Sequence, residues 1–284
     1  MKSRLTGLVV TLLALGASSL GAATINILWY TGGTESSGAG TYEAAVNNLV
    51  AQENSAFNVS GSINTWNVTF WSGGAIPGGS FAGYNALVTA SPQGYWSTPG
   101  STADLLGSGI TSASLGSRIM LTGQDADWHY INGPGSASFN GPAGFLIDAI
   151  NWAGSGTGMG GVFLGNRGLG LFDSSNGTDA GYSNAVTIPA ADAALPINVG
   201  LTSAGLSGWN TSAHVSFSGY DSTKWEGINT GDGLFDAAGK PVAITIITAS
   251  EKGGGTSGVP DSGSTLSLLG GVMLALVGLR RRLA

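Results

Sequence analysis

Apolar and polar residues fall into blocks between residues 24 and 250, and each block has the length of one strand or one helix. Continuous apolar runs rich in β-branched and aromatic residues are typical of strands buried on both faces. They predict strands at TINILWY (24–30), WNVTFW (66–71), YNALVTAS (84–91), SRIMLTG (117–123), GGVFLG (160–165) and KPVAITIITAS (240–250). Helical spacing of apolar residues predicts helices at 41–52, 102–116 and 141–154, the last with Pro142 in its first turn.

The order of these elements indicates the fold class. Strands that alternate with helices are typical of an α/β domain with a doubly wound, mostly parallel sheet. The sequence therefore predicts such a domain over residues 24–250, followed by a Gly- and Ser-rich linker at 251–258. A Gly-rich β-sandwich or jelly roll is the alternative, because residues 170–240 contain few helical signals.

Residues 1–23 have a pattern of their own. Lys2 and Arg4 precede an apolar stretch from Leu5 to about Ala17, and small residues follow it. This three-part arrangement is that of a secretory signal peptide, and it predicts cleavage after Ala23. An uncleaved membrane anchor is the alternative.

The end of the chain carries a second apolar segment. Residues 266–279 contain no charged side chain, and they are followed at once by Arg280, Arg281 and Arg282. These fourteen residues would span roughly 21 Å as a helix, against a hydrocarbon core of roughly 30 Å. Including the preceding polar residues at the interface, the pattern predicts a transmembrane helix at 264–279, with the arginines on the cytoplasmic side. A buried core helix is the alternative.

The motif VPDSG opens this tail and comprises Val259, Pro260, Asp261, Ser262 and Gly263. With the apolar run and the arginines, it resembles the VPDSG-CTERM sorting signal, a relative of the PEP-CTERM tails that exosortases process in Gram-negative, exopolysaccharide-producing bacteria. The resemblance covers residues 259–284 and implies cleavage near the motif by an exosortase. It also implies an inner-membrane intermediate and delivery to the cell surface or the extracellular matrix. A sortase signal of the LPxTG kind has the same layout, but the Leu and Thr of that motif are missing here.

Charge and composition restrict the partners of the part between the two ends. Residues 24–258 contain fifteen acidic and five basic side chains, which gives a net charge of −10. Such a domain repels phosphate backbones, so nucleic acid is not an expected partner. The chain has no Cys, which excludes thiol catalysis and leaves an exported domain to be stabilised by its core alone.

Four segments of the domain carry a second resemblance, to the flavodoxin-like domain of the class I glutamine amidotransferase-like superfamily. They are INILWYTGG, YNALVTASP, RIMLTGQDADWH and WNTSAHVSF. The resemblance implies a flavodoxin-like fold over residues 24–250. Catalytic members of that superfamily place a Cys at a strand-to-helix elbow, where this chain has Gln124 and Asp125. We therefore expect no amidotransferase chemistry, and the two resemblances together imply a non-catalytic domain associated with exopolysaccharide.

The segment TGQDADWHYINGPG (122–135) places two carboxylates and one imidazole within five residues. It follows a predicted strand, and the carboxyl ends of parallel strands form the ligand crevice of an open sheet. Asp125, Asp127 and His129 lie at alternating positions, and His214 is the only other histidine of the chain. Carboxylates and imidazoles are donors for a divalent metal, which lowers the pKa of a bound water and makes it a nucleophile. These four residues therefore predict a ligand or metal site, and the alternative function is that of a metal-assisted exported hydrolase.

The same segment also has a structural interpretation. In it, the aspartates accept backbone hydrogen bonds in a turn, while Trp128 and His129 pack against the next helix. The sequence pattern is compatible with both interpretations.

Overall fold

The computed structural model describes residues 23–32, 39–55, 64–92, 110–133, 139–165, 172 and 174–252. The predicted signal peptide up to residue 22, the linker beyond 252, the VPDSG motif, the helix at 264–279 and the terminal arginines lie outside these residues. Within the described part of the chain, no helix combines the length and the apolar character needed to cross a membrane.

Ten strands of the described residues form a single sheet. They are β1 (Thr24–Tyr30), β2 (Thr65–Trp71), β3 (Ala86–Thr89), β4 (Ile119–Thr122), β5 (Gly160–Phe163), β6 (Thr178–Asp179), β7 (Val186–Thr187), β8 (Phe217–Ser218), β9 (Trp225–Phe235) and β10 (Pro241–Thr248). The six strands predicted from apolar runs are confirmed as β1 to β5 and β10. Strands β6 to β9 are not among the predicted ones, because three of them have only two residues and β9 is interrupted by glycines.

Five α-helices accompany the sheet in the described residues. They are α1 (Ala39–Glu53), α2 (Ala126–Asn132), α3 (Pro142–Gly154), α4 (Ser203–Leu206) and α5 (Ala249–Lys252), and two 3₁₀ turns lie at Pro77–Gly79 and Ser112–Ser114. Helices α1 and α3 confirm the predictions at 41–52 and 141–154. The predicted helix at 102–116 is wrong where it is described, because residues 110–116 contain only the second 3₁₀ turn.

Helix α2 corrects the prediction of a turn after β4. The chain leaves the strand, and Asp125 takes the N-cap position of a helix that runs to Asn132. The run from Ala126 onward carries the apolar residues that a buried helix needs, and Gly133 ends it. The three candidate residues of this region, Asp125, Asp127 and His129, therefore follow a helical period rather than the alternating period of an extended segment.

The sheet has a parallel half and an antiparallel half. Strands β2-β1-β3-β5-β4 are parallel neighbours in this order, and β10 joins β4 in the opposite direction. Strand β8 pairs with β10 on the same side as β4, and β6 pairs with β8, while β9 pairs with the other side of β10 and β7 with β9. The α/β class is confirmed. The order differs from the 2-1-3-4-5 order of flavodoxin-like sheets, since β5 lies between β3 and β4.

Alternate strand residues face two separate apolar cores. In β1, Ile27 and Trp29 belong to the first core, and Leu28 and Tyr30 to the second. Helices α1, α2 and α3 all contribute to the first core, and twelve of the thirteen residues of α3 are buried. The described helices thus do not form the second layer that a doubly wound sheet has on its other face.

The last helix of the described chain is fixed to the sheet by ion pairs. Glu251 accepts a hydrogen bond at 3.0 Å from the guanidinium of Arg118, which precedes β4. Lys252 lies 2.7 Å from Glu226 on β9 and 2.9 Å from Asp192. The end of β10 is therefore attached on both sides, and the first two residues of the predicted linker at 251–258 belong instead to α5.

Helix α3 carries one acidic residue in this largely apolar setting, Asp148. Burial, and then the negative charge of Glu53, raise the pKa of Asp148 well above its ordinary value of 3.8. A raised pKa in the folded state means that the folded state favours the protonated carboxyl. Its contribution to stability is complete below 3.8 and is lost as the pH rises through the folded-state pKa.

We expect Asp148→Asn to be more stable than the wild type at neutral pH, because the wild-type carboxyl ionises more readily in the unfolded chain than in the folded one, while an amide ionises in neither. The advantage in free energy of unfolding should shrink as the pH falls and vanish below the ordinary carboxyl pKa. Denaturant titrations at about pH 3.5 and about pH 8 measure it. Asp232→Asn, at an exposed position, is the control and should change stability by less than about 0.5 kcal/mol. A pH-independent effect of Asp148→Asn would contradict this account.

Candidate functional site

The candidate site lies where β4 ends and α2 begins. The carboxylate of Asp125 does not cap the helix with a side-chain hydrogen bond. It lies instead against His129, one helical turn further on, with 3.2 Å between Oδ1 and the imidazole Nε2. The spacing of four residues places both side chains on one face of α2, so helix formation alone brings them together.

His214 reaches the same carboxylate from the antiparallel half of the molecule. Its Nε2 lies 3.2 Å from Oδ2 of Asp125. The segment that carries it runs directly along Gly123, whose carbonyl accepts a hydrogen bond from the His214 amide at 2.8 Å. A Cβ atom at position 123 would lie 1.6 Å from the carbonyl oxygen of Val215. Only glycine therefore permits the backbone approach that places His214 beside Asp125.

The cluster of Asp125, His129 and His214 is enclosed. Side-chain exposure is 1% for Asp125, 1% for His129 and 7% for His214. The rings of Trp128 and Trp209 lie 4.9 and 5.4 Å from the His129 ring and form an aromatic wall. Donor atoms of the three residues lie within 4.8 Å of one another, which is the spacing of a group that can hold a metal ion.

The electrostatics of the cluster keep Asp125 ionised. Burial raises the pKa of this carboxyl, but the close contacts with the His129 and His214 side chains lower it by more, so the net direction is downward. A negative charge therefore lies in a nearly water-free environment, with an imidazole nitrogen 3.2 Å from each of its two oxygens.

Asp127 does not join the cluster. Its Oδ2 accepts hydrogen bonds from the Tyr42 hydroxyl at 2.7 Å and from the Ser91 amide at 2.8 Å, and its Oδ1 accepts one from the Ser91 hydroxyl. The Tyr42 hydroxyl in turn accepts from the indole Nε1 of Trp29 at 3.1 Å. Burial raises the pKa of Asp127, and the hydrogen bonds from Ser91 and Tyr42 offset only part of that rise. Asp127 thus fastens α2 to α1 and to the end of β3; it accepts one backbone hydrogen bond, but from a distant segment and within a helix rather than in a turn.

The structure therefore brings together three of the four residues predicted for the site. Sequence reasoning did not identify Gly123 or the Thr211 carbonyl, whose oxygen lies 3.2 Å from Nε2 of His129. Gly123 follows a buried strand immediately, which is the signal for a close backbone approach. A backbone carbonyl carries no side-chain signal. Ala23, the predicted cleavage residue, is exposed directly before β1.

Comparison with known proteins identifies the tail. Residues 258–283 match the VPDSG-CTERM motif, which confirms the predicted sorting signal. A chain with this signal is exported to the cell envelope or surface and processed by an exosortase. No curated protein matches the chain, and no solved structure matches it. The flavodoxin-like and amidotransferase-like resemblance of the domain thus receives no support from any family or structure.

We expect Gly123→Ala to displace the 213–215 segment, because its Cβ meets backbone rather than a flexible side chain. The free energy of unfolding should fall by about 3 kcal/mol or more. Gly239→Ala is the matched control: Gly239 has φ +75° with nothing within 4 Å of an added Cβ, so only left-handed strain of about 1 kcal/mol applies. Denaturant titration measures both, and equal losses would show that no backbone clash exists at position 123.

Proposed function

We propose that an exosortase cuts this chain near Val259–Gly263 and that the body before the cut is delivered to the cell surface or extracellular matrix. In this proposal the body is a non-catalytic component that associates with exopolysaccharide. The match of residues 258–283 to the VPDSG-CTERM motif is the observation that carries it. The finer points, namely the cut site, the final location and the polysaccharide partner, rest on what this class of signal implies.

The boundaries of the folded body support two processing cuts. Strand β1 begins at Thr24, directly after the predicted signal-peptide cleavage residue Ala23, and both residues are exposed. At the other end, α5 ends at Lys252, before the motif starts. Cleavage at either place therefore breaks no strand or helix of the described body.

The enclosure of the Asp125 cluster favours a non-catalytic body over the metal-assisted hydrolase. A hydrolase needs its metal-bound water to touch the substrate. With exposures of 1% for both Asp125 and His129, a substrate does not reach these side chains unless the surrounding segments move. The chain also lacks Cys, so thiol chemistry is excluded.

Two features of the surface support association with polysaccharide. Only 9% of the residues of the chain are charged, so hydroxyl and amide groups supply much of its polar surface. Among the described residues, the aromatic side chains of Tyr182 and Phe235 are exposed, at 72% and 62%. Exposed aromatic rings provide flat apolar faces on which the C–H faces of sugars stack.

We expect protein isolated from the cell envelope to begin at Thr24 and to end within Val259–Gly263. Replacing Arg280, Arg281 and Arg282 with Ser should remove the stop-transfer signal. The tail should then remain uncleaved, because the helix is no longer held in the membrane where the exosortase acts. Intact-mass spectrometry of membrane and envelope fractions measures both ends. Replacing Lys252 alone is the control and should leave processing unchanged. A cytosolic protein with both termini intact would contradict the proposal.

We expect the double variant Tyr182→Ser, Phe235→Ser to bind purified exopolysaccharide of the producing strain roughly five- to tenfold more weakly, because two stacking surfaces are lost. Val199→Ser, which removes an exposed aliphatic side chain, is the matched control and should bind normally. Cosedimentation with the polysaccharide provides the measurement. Equal binding by the wild type and both variants would show that these rings do not contact the polysaccharide. If the wild type does not bind, the polysaccharide is not a partner of the protein.

A further inference from the structure

The carboxylate of Asp125 lies close to two imidazoles, but neither imidazole is oriented to donate a hydrogen bond to it. Each of its oxygens lies 3.2 Å from an Nε2 atom. Neither oxygen nevertheless receives a well-aligned hydrogen bond from any described residue, although the residue is only 1% exposed. A buried carboxylate without aligned donors is costly, so the geometry calls for another compensating group.

The hydrogen-bonding state of His129 leads to the same conclusion. Its Nε2 is aligned with one acceptor, the Thr211 carbonyl oxygen at 3.2 Å, and its Nδ1 has no hydrogen-bond partner among the described residues. If Nε2 carries the proton, it donates to the Thr211 carbonyl, and Oδ1 of Asp125 receives no hydrogen bond from His129. If Nδ1 carries the proton, the lone pair of Nε2 faces two oxygen acceptors. A cation at the centre of these atoms satisfies the lone pairs in the second case.

The separations between these atoms are those of metal ligands. Two ligands at 2.0–2.1 Å from a tetrahedral zinc ion lie about 3.3 Å apart. The distances from His129 Nε2 to Oδ1 of Asp125 and from His214 Nε2 to Oδ2 of Asp125, both 3.2 Å, are close to that value, and one donor atom of each residue lies within 4.8 Å of the others. Imidazole nitrogen suits zinc and its neighbours in the first transition row, whereas Ca²⁺ and Mg²⁺ select oxygen ligands. The donor set therefore favours the zinc class.

The turn that presents the Thr211 carbonyl is strained. Asn210 and Thr211 have φ values of +67° and +87°, which non-glycine residues rarely adopt, and which are most unfavourable for a β-branched residue. Such strain persists only where the surroundings impose it. The amide of Thr211 donates to Oδ1 of Asn184 at 2.8 Å, which fixes one side of the peptide chain there. The carbonyl on the other side is turned toward the cluster.

We propose that Asp125, His129 and His214 bind one divalent cation of the zinc class and that the Thr211 carbonyl completes a closed, structural site. The cation joins the start of α2 to the 209–214 turn, which belong to the two halves of the molecule. This inference does not depend on the sorting route or on the polysaccharide partner, because it concerns only the folded body.

The test uses the full-length chain, purified in detergent without a polyhistidine tag, loaded with Zn²⁺ and desalted. We expect about one zinc ion per chain by elemental analysis, and an X-ray absorption spectrum with two imidazole ligands. A chelator should lower the midpoint of thermal unfolding by roughly 5–10 °C, as expected when a ligand at about a hundredfold excess over its Kd is removed.

The variants Asp125→Asn, His129→Gln and His214→Gln should each reduce zinc content at least roughly tenfold. Two controls should retain it: Asp127→Asn, which lies in the same helix but faces Ser91 and Tyr42, and Asp232→Asn at the surface. The proposal is overturned if the wild type retains no zinc and the chelator does not change its midpoint of thermal unfolding. It is equally overturned if the absorption spectrum shows oxygen ligands alone. These two wild-type measurements decide the question even where a variant does not fold.

Discussion

The close backbone approach at Gly123 holds the two halves of the sheet together at the candidate site. Its amide donates to the Ile244 carbonyl of β10 at 2.9 Å, and its carbonyl accepts from His214 at 2.8 Å. Because no Cβ fits at this position, one glycine lets β10 and the 213–215 segment approach the end of β4 together. The position of Asp125, two residues later, is a consequence of this crossing.

The sequence predicts the parallel half of the fold well, because strands that are buried on both faces appear as continuous apolar runs in the sequence. Runs such as IMLT and ALVT are apolar up to their last residue and buried throughout, and they coincide with β4 and β3. The two-residue strands β6, β7 and β8 have no such run, since partners far along the chain define them. Strand order is likewise non-local, and nothing in the residues of β5 indicates that it lies between β3 and β4.

For the candidate site, the residue types were predictable and their grouping was only partly so. Asp125 and His129 meet because they are four residues apart on a helix, which also turns Asp127 away toward Tyr42. His214 entered the prediction because the chain has only two histidines to choose from. The enclosure of the cluster has no counterpart in the sequence, because segments far apart along the chain produce it.

The attachment of α5 has a mechanical consequence for a chain tethered through its tail. Tension on the linker passes through Lys252 into β10, which has β4 and β8 along one side and β9 along the other. A pull along that strand loads the hydrogen bonds of both sides in shear, simultaneously, instead of peeling them apart singly. The geometry therefore lets the body bear a force that is applied at the end of its last helix.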